Sequence, residues 1–273
     1  MLEMLIERQI RAGADAIVLA GTTGESPTLT DAEKLEIFRI GVQTAAGRTK
    51  IIAGTGSNST AKAVDLSAKA ARMGVDAILA VTPYYNKSTQ PGLIQYYTAV
   101  AEASGLPVIA YNVPSRTGVD IRVDTCRVLA EIPGIAGIKE ASGDISKIGR
   151  ILAACGDELP VYSGNDDQTV PIMALGGAGV ISVASNVVPR PMKELTDACL
   201  TGAYPKAAAI QRKLLKLMDL MFCQVNPIPV KAAMELMGFD CGSCRLPLDD
   251  LPDADVQKLR DCLDELELLA YNN

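Results

Sequence analysis

Lys139 is the residue whose position in the sequence points most directly to chemistry. It lies in the apolar run 135–142, where alternate residues of an extended strand face opposite sides, so Lys139 shares a face with Ile135 and Gly137. Burial disfavours the charged form of a lysine, and the neutral amine is a nucleophile. The alternative is a lysine at a strand end that reaches water or pairs with Glu140. The sequence therefore offers Lys139 as a candidate nucleophile.

Residues 21–25, Gly-Thr-Thr-Gly-Glu, follow another apolar run and could bind a small anion. The two glycines permit close approach of the backbone, and the hydroxyls of Thr22 and Thr23 can donate to an anion beside backbone N–H groups. A carboxylate would fit such a loop. An ordinary loop that caps the next helix fits the same residues, and the phosphate-loop pattern GxxxxGK(S/T) is absent.

Tyr111 and Arg116 stand at the end of a further apolar run. A guanidinium can hold a carboxylate through two parallel hydrogen bonds, and a tyrosine can transfer a proton when a nearby cation lowers its pKa. Tyr84 and Tyr85, which follow Thr82-Pro83, are open to the same interpretation. Each of these residues alone is also compatible with a surface arginine or a packed tyrosine.

Composition excludes several kinds of site. Histidine is absent from the 273 residues, which rules out imidazole catalysis, Ser-His-Asp and Cys-His systems and every His-ligated metal site. The net charge of −6 argues against a nucleic-acid partner, and no apolar run approaches the roughly 18 residues that a membrane span needs. Seven irregularly spaced cysteines, with Cys241 and Cys244 lacking a second pair for zinc, are typical of a reduced protein. For Asp166 and Asp167 a helix cap is favoured over a metal site. We therefore expect a cytoplasmic protein with no metal.

These candidate residues follow predicted strands. Seven short apolar runs begin roughly 20 to 35 residues apart, which is the size of a strand–helix unit. The runs are apolar nearly throughout, as is typical of parallel strands covered on both faces, and the carboxyl ends of such strands carry the site. The predicted strands are 16–21, 50–56, 77–83, 107–114, 135–142, 159–165 and 179–186.

The strand count has one consequence for the fold. A closed parallel barrel has eight strands, each followed by a helix, whereas this sequence supplies seven and opens on a helix. Either the sheet is open, or a first strand lies upstream of Met1. We expect this barrel domain to span residues 1–203. After it only helices are predicted, at 204–222, 227–237 and 253–269, and they define a helical subdomain over residues 204–273.

Taken together and in this order, the strand-end motifs resemble those of the dihydrodipicolinate synthases (4-hydroxy-tetrahydrodipicolinate synthases), a family of pyruvate-dependent class I aldolases. The resemblance covers essentially the whole chain. It implies an α/β fold, a (β/α)8 TIM barrel with a C-terminal helical subdomain, here without its first strand, in a homotetramer built from two dimers. It also implies that pyruvate condenses with L-aspartate-4-semialdehyde, without a cofactor, in lysine and diaminopimelate biosynthesis. The matching runs are 21–26, 54–58, 82–86, 111–118, 137–141 and 226–231.

The resemblance also implies a catalytic set. Lys139 is similar to the lysine that forms the Schiff base with pyruvate, and Tyr111 to the tyrosine that shuttles protons. Thr22 matches the threonine that links this tyrosine to a second one. Tyr85 matches that second tyrosine, which in the family comes from the neighbouring subunit.

A second set implied by the resemblance binds substrate. Thr23 matches a residue that binds the pyruvate carboxylate, and Arg116 matches the arginine at the entrance that holds the semialdehyde carboxylate. Gly164 and Ile181 match backbone contributors around the intermediate.

Many bacterial and plant members of the family bind lysine as a feedback inhibitor at the dimer interface. Ser26, Asn58 and Tyr84 match that site. Lys62, however, stands where lysine-sensitive members commonly carry a glutamate, and Asp31 stands where they commonly carry a histidine or similar residue. Because Lys62 would repel the ammonium group of the inhibitor, we predict weak or absent inhibition by lysine.

Two other functions compete with this one. N-acetylneuraminate lyases and keto-deoxy-sugar aldolases share the Schiff-base lysine and the tyrosine, but a sugar-accepting site has less use for a second carboxylate clamp such as Arg116. A catalytically inactive relative that binds or regulates is favoured slightly by the missing strand. The intact set of Lys139, Tyr111 and Thr22 argues against it.

Overall fold

The computed structural model describes residues 1–269 and is organised around one parallel β-sheet of seven strands in chain order. Each strand lies inside one of the predicted runs. Most end a few residues earlier than predicted, because the polar residues that close each run leave the ladder. The strands are β1 Ala16–Leu19, β2 Lys50–Gly54, β3 Ala77–Val81, β4 Val108–Asn112, β5 Ile135–Glu140, β6 Val161–Ser163 and β7 Gly179–Val180.

Helices follow the strands and then continue beyond the sheet. The helix that begins at Asp31 has a capping box: the Thr30 side chain accepts from the Glu33 N–H, and the Glu33 carboxylate accepts from the Thr30 N–H. The α-helices are α1 Leu2–Ala12, α2 Asp31–Ala45, α3 Thr60–Arg72, α4 Gln90–Ser104, α5 Pro114–Thr117, α6 Val123–Ala130, α7 Ile145–Cys155, α8 Thr169–Ala174, α9 Pro189–Leu200, α10 Tyr204–Leu220, α11 Ile228–Leu236 and α12 Asp253–Glu265.

Both faces of the sheet are buried, which explains why the strands are apolar throughout. Ile51 and Ile78 pack outward in the same cluster as Phe38 of α2, while their neighbours Ile52 and Leu79 belong to an inner cluster. Each such side chain contributes about 1.5–3 kcal/mol when it is fully buried. The helices are therefore held on the outside of the sheet by one row of strand residues, and the other row fills the interior.

The inner cluster shows that the sheet curls into a barrel. Val18 of β1 and Ile181, just after β7, pack in the same cluster as Ile109 of β4, so the two ends of the sheet face a common interior. Within residues 1–269, β1 pairs with β2 alone and β7 with β6 alone. The result is a TIM-barrel-like α/β fold of seven strands whose end strands are not bonded to each other.

The helices that end the chain form a second apolar core. Leu214 and Leu217 of α10, Val230 of α11 and Leu259 of α12 pack in one cluster with Leu195 of α9. The cluster thus joins the predicted helical subdomain to the last barrel helix, and the boundary at residues 203 and 204 stays a prediction. The final four residues of that predicted subdomain lie outside the described residues. No helix within residues 1–269 is long and apolar enough to span a membrane.

Candidate active site

A cavity of about 1040 Å³ opens at the carboxyl ends of the strands and extends between β1 and β7. Seven of the residues proposed from the sequence line it together. They are Thr22, Thr23, Tyr111, Arg116, Lys139, Gly164 and Ile181. The structure therefore gathers residues from five separate strand ends around one space, although 159 residues separate the first of them from the last.

Lys139 is held at the inner wall of this cavity. It is only 8% exposed, and its strand register places it directly opposite Tyr111 on β4. The Lys139 Nζ lies 4.3 Å from the centroid of the Tyr111 ring, a distance at which an ammonium interacts favourably with the ring. In the described part of the chain no carboxylate oxygen lies within 4 Å of this nitrogen. The predicted alternative of a pair with Glu140 is wrong, because neighbouring strand residues face opposite sides.

The loop after β1 carries the two threonines and is closed by its own backbone. Gly24 N–H donates to Gly21 O at 3.0 Å, and Glu25 N–H donates to Thr22 O at 3.1 Å. Asn226 then holds this loop from the far side of the cavity, since its Nδ2 donates to Thr23 Oγ1 at 3.0 Å. The Thr23 hydroxyl also lies 3.4 Å from Asn226 Oδ1, so Asn226 fixes its position at the cavity.

Asn226 is a site residue whose role is not predictable from its position in the sequence. It is 5% exposed, lines the cavity, and its carbonyl oxygen lies 3.5 Å from Arg116 Nη2. The signal available in the sequence was the run 226–231, which matches the family although no strand precedes it. Asn226 therefore joins the loop after β1 to Arg116.

Glu25 anchors the same loop to the end of the chain. Its carboxylate accepts from Lys231 Nζ at 2.9 Å and from the Arg245 backbone N–H at 2.8 Å. Burial raises the pKa of Glu25, but the hydrogen bonds and charges of Arg245 and Lys231 outweigh this effect and the net pKa is lowered. Lys231 also donates to Ser243 O at 2.8 Å. Helix α11 and the loop after it are therefore part of the structure that positions Thr22 and Thr23.

Backbone groups form the wall after β6 and β7. The Gly164 N–H donates to Glu140 O at 2.8 Å and the Ile181 N–H to Ser163 O at 2.9 Å. Because both N–H groups are engaged, a backbone contact between these residues and a substrate would use their carbonyl oxygens.

Asp166 connects the two loops that follow β6 and β7. It is buried, and its Oδ2 accepts from the N–H groups of Val183 and Ala184 at 3.0 and 2.8 Å. The carboxylate therefore caps a helical turn, as predicted, but the capped turn is Ala184–Asn186 of the other loop. Burial raises the pKa of Asp166, while the two amides oppose that effect.

The remaining residues proposed from the sequence lie away from the cavity. Ser26 begins the short 3-10 helix Ser26–Thr28, and Asn58 and Tyr84 are half-buried. Tyr85 is 90% exposed and has a backbone φ of 67°, an unusual value for a tyrosine. Within residues 1–269, Tyr85 therefore stands apart from Lys139 and Tyr111, as expected for a residue that acts on a neighbouring subunit. Its role stays a prediction.

The model of the dihydrodipicolinate synthetase family matches residues 1–266. The chain belongs to this family. A 4-hydroxy-tetrahydrodipicolinate synthase from Thermoanaerobacter sp. (strain X514) is 46% identical over 270 residues, which are 98% of this chain and 91% of that protein. The predicted membership of the dihydrodipicolinate synthetase family is thus confirmed for this chain.

Two solved structures of the dihydrodipicolinate synthetase family have nearly the same backbone. The chloride-inhibited dihydrodipicolinate synthase from Acinetobacter baumannii in complex with pyruvate superposes with a TM-score of 0.96 at 44% identity, covering 98% of this chain and 92% of that one. The lysine-bound enzyme from Cyanidioschyzon merolae has a TM-score of 0.95 at 40% identity, covering 98% and 91%. The seven strands described here therefore follow the family backbone closely.

Proposed function

We propose that this member of the family condenses pyruvate with L-aspartate-4-semialdehyde through an imine on Lys139, without a cofactor. The observation that carries the proposal is a buried amine with no carboxylate oxygen within 4 Å among the described residues, opposite a tyrosine, in a cavity with an arginine at its mouth. The names of the relatives support the same reaction.

The imine explains how the chain can activate pyruvate. The Lys139 amine adds to the carbonyl carbon of pyruvate, and loss of water leaves an iminium ion. Electron withdrawal by the iminium lets the methyl group lose a proton, which gives an enamine. The enamine carbon then forms a bond to the aldehyde carbon of the semialdehyde, whose oxygen takes up a proton. Attack of the substrate's own amino group on the imine carbon finally displaces Lys139 and closes a ring.

Tyr111 and Thr22 carry out the proton transfers of this reaction. Tyr111 is beside the reacting nitrogen, since its ring centroid is 4.3 Å from Lys139 Nζ. A tyrosine hydroxyl can act as general acid and base where histidine is absent. We assign Thr22 to the relay and Tyr85 of a neighbouring subunit to its far end.

The two carboxylates of the substrates are bound at different ends of the cavity. Thr23, fixed by Asn226, receives the pyruvate carboxylate close to the barrel wall. Arg116 is exposed on the short helix α5 and receives the semialdehyde carboxylate at the entrance. A second carboxylate clamp favours the semialdehyde over a sugar acceptor, and a comparison of turnover with the semialdehyde and with sialic acid distinguishes the two.

We also propose a cytoplasmic homotetramer built from two dimers. The exposed Tyr85 supports this assembly, because a large aromatic side chain on an unusual backbone conformation is costly unless it has a partner. Sedimentation analysis of the wild type and of Tyr85→Ser tests the assembly. A wild-type monomer with full activity would contradict it.

Borohydride trapping tests the reaction itself. Reduction in the presence of pyruvate should fix an N-(1-carboxyethyl) group on Lys139, detectable by peptide mass spectrometry, and inactivate the enzyme. Lys139→Arg should give no adduct, whereas the surface variant Lys216→Met should react as the wild type does. Absence of the adduct on folded wild-type protein would refute the proposed function.

A further inference from the structure

A buried polar network lies directly behind the Lys139–Tyr111 pair, on the outer face of β4 and β5. Asn112 and Glu140 are both 0% exposed, and Lys147 of α7 is nearly as deeply buried. Asp120, which is partly exposed, completes the network. These four side chains have no place in the chemistry proposed above, and burying charged groups is costly unless they are fully paired.

The network satisfies the Glu140 carboxylate on every side. Asn112 Nδ2 lies 2.9 and 3.1 Å from its two oxygens, and Lys147 Nζ lies 3.1 Å from Oε2. The Ser142 N–H donates to Oε1 at 2.7 Å. Asp120 accepts from Asn112 Nδ2 at 2.8 Å and also pairs with Lys147.

Lys147 is the single cation of this network. Its burial opposes the charged form, but the attraction of Glu140 and the hydrogen bond to Asp120 outweigh burial, so its pKa is raised. Well-packed apolar residues are often at least as stable as a buried ion pair, so stability alone is a weak reason for this arrangement. A stronger reason is that the network fixes the geometry of the neighbouring active site.

Strand register joins the network to the reacting residues. Tyr111 is opposite Lys139, and the next residues along the two strands, Asn112 and Glu140, are opposite each other. The cavity-facing pair Tyr111–Lys139 is therefore followed directly along both strands by the outward-facing pair Asn112–Glu140. Fixing the outward-facing pair also fixes the rotation of both strand ends. The Glu140 carbonyl also accepts from the Gly164 N–H at 2.8 Å, which carries the constraint to the wall after β6.

We propose that Glu140, locked by Asn112 and Lys147, is a positioning residue that holds the Lys139 amine against Tyr111 for imine formation and proton transfer. This inference rests on the proposed function. It predicts that loosening the network slows the reaction without greatly changing the affinity for pyruvate, because none of the four side chains lines the cavity.

The first test replaces Glu140 by the nearly isosteric glutamine, which cannot accept from both Asn112 and Lys147 as a carboxylate does. We expect Glu140→Gln to lower both kcat and the rate of borohydride-trappable imine formation by about 10- to 100-fold, since a displacement of about 1 Å costs about this much. The KM for pyruvate should stay within about threefold of the wild type, as for a change outside the binding groups. Lys147→Met should behave like Glu140→Gln, and Lys147→Arg should recover most of the activity. The surface variant Lys216→Met is the control.

A double-mutant cycle separates positioning from a merely structural role. If Glu140 acts through the geometry of Lys139 and Tyr111, Glu140→Gln should cost much less in a Tyr111→Phe background than in the wild type. Additive effects, or a Glu140→Gln enzyme that traps pyruvate at the wild-type rate, would overturn the inference. Should Glu140→Gln not fold, Lys147→Met and Lys147→Arg decide the question in the same cycle. A wild type that forms no adduct would instead overturn the proposed function, so the two failures are distinguishable.

Discussion

Gly164→Ala is expected to displace the reactive lysine. A methyl group at this position would lie 2.6 Å from the Ala141 Cβ and 3.2 Å from both the Lys139 Cε and the Glu140 carbonyl oxygen. Carbon atoms in contact normally stand about 3.5–4.0 Å apart, so Ala141 must retreat by about 1 Å and the Lys139 side chain by several tenths of an ångström. The glycine backbone is not in the left-handed region, so the effect is one of space alone.

Gly164→Ala is expected to have two separate effects, a loss of stability and a loss of catalytic rate. Overpacking of this kind destabilises a protein by about 1–3 kcal/mol. A reacting atom displaced by up to about 1 Å loses up to about 100-fold in rate, so we expect kcat to fall by about 10- to 100-fold. Steady-state kinetics and the rate of borohydride trapping measure the loss of rate, and urea unfolding measures the loss of stability.

Gly149→Ala is the matched control for this prediction. Gly149 lies inside α7, where an added methyl group would meet its nearest neighbour, Leu175 Cδ1, at an ordinary 3.9 Å. Alanine in a helix interior is more stable than glycine by about 0.5–1 kcal/mol, so this variant should keep full activity and gain stability. If Gly164→Ala kept wild-type kcat and stability, the close packing of Gly164 against Lys139 would be refuted as a constraint.

Three further predictions concern substrate binding, pH and inhibition. Asn226→Ala should raise the KM for pyruvate about fivefold, the effect of one lost hydrogen bond to Thr23, and an unchanged KM would contradict this assignment. Arg245, together with the N–H and hydroxyl of Thr30, holds the pKa of Glu33 at about 2, so the stability from these contacts is complete above the usual glutamate pKa and is lost as pH falls towards 2. Arg245→Met should therefore flatten the loss of stability in urea unfolding between pH 5 and 2, and an unaltered pH profile would disprove the assignment. Lysine should inhibit weakly or not at all, Lys62→Glu should strengthen inhibition, and a submillimolar effect on the wild type would show the prediction to be wrong.

The fold could be read from the sequence because its signals are local. All seven strands are confirmed, since each is an apolar run closed by polar, glycine or proline residues. The predicted ends are less accurate: the run 179–186 contains only the two-residue strand Gly179–Val180, after which the chain turns into the 3-10 helix Ala184–Asn186. A run of small and β-branched residues does not reveal where it leaves the ladder, because that depends on the neighbouring strand.

The site was predictable to the extent that single strand ends carry it. Lys139, Tyr111 and the threonine loop each follow a recognisable strand. The contacts made by Asn226 and Lys147 were not predictable, because they join residues far apart in the chain: Asn226 reaches Thr23 across 203 positions. The turn that Asp166 caps was not predictable for the same reason, since it belongs to another loop.

The register of β4 against β5 has a consequence for both faces of the barrel. A slip of one residue inverts every side chain of a strand. In β5 it would place the Glu140 carboxylate in the cavity and the Lys139 amine beside Lys147 in the outer network, so nucleophile and anchor would be lost together. Lys147 attracts a carboxylate at this position and would repel a second ammonium, so the network favours the one register in which Lys139 faces the substrate. The same outer network that positions the amine thus also selects the strand pairing on which the reaction depends.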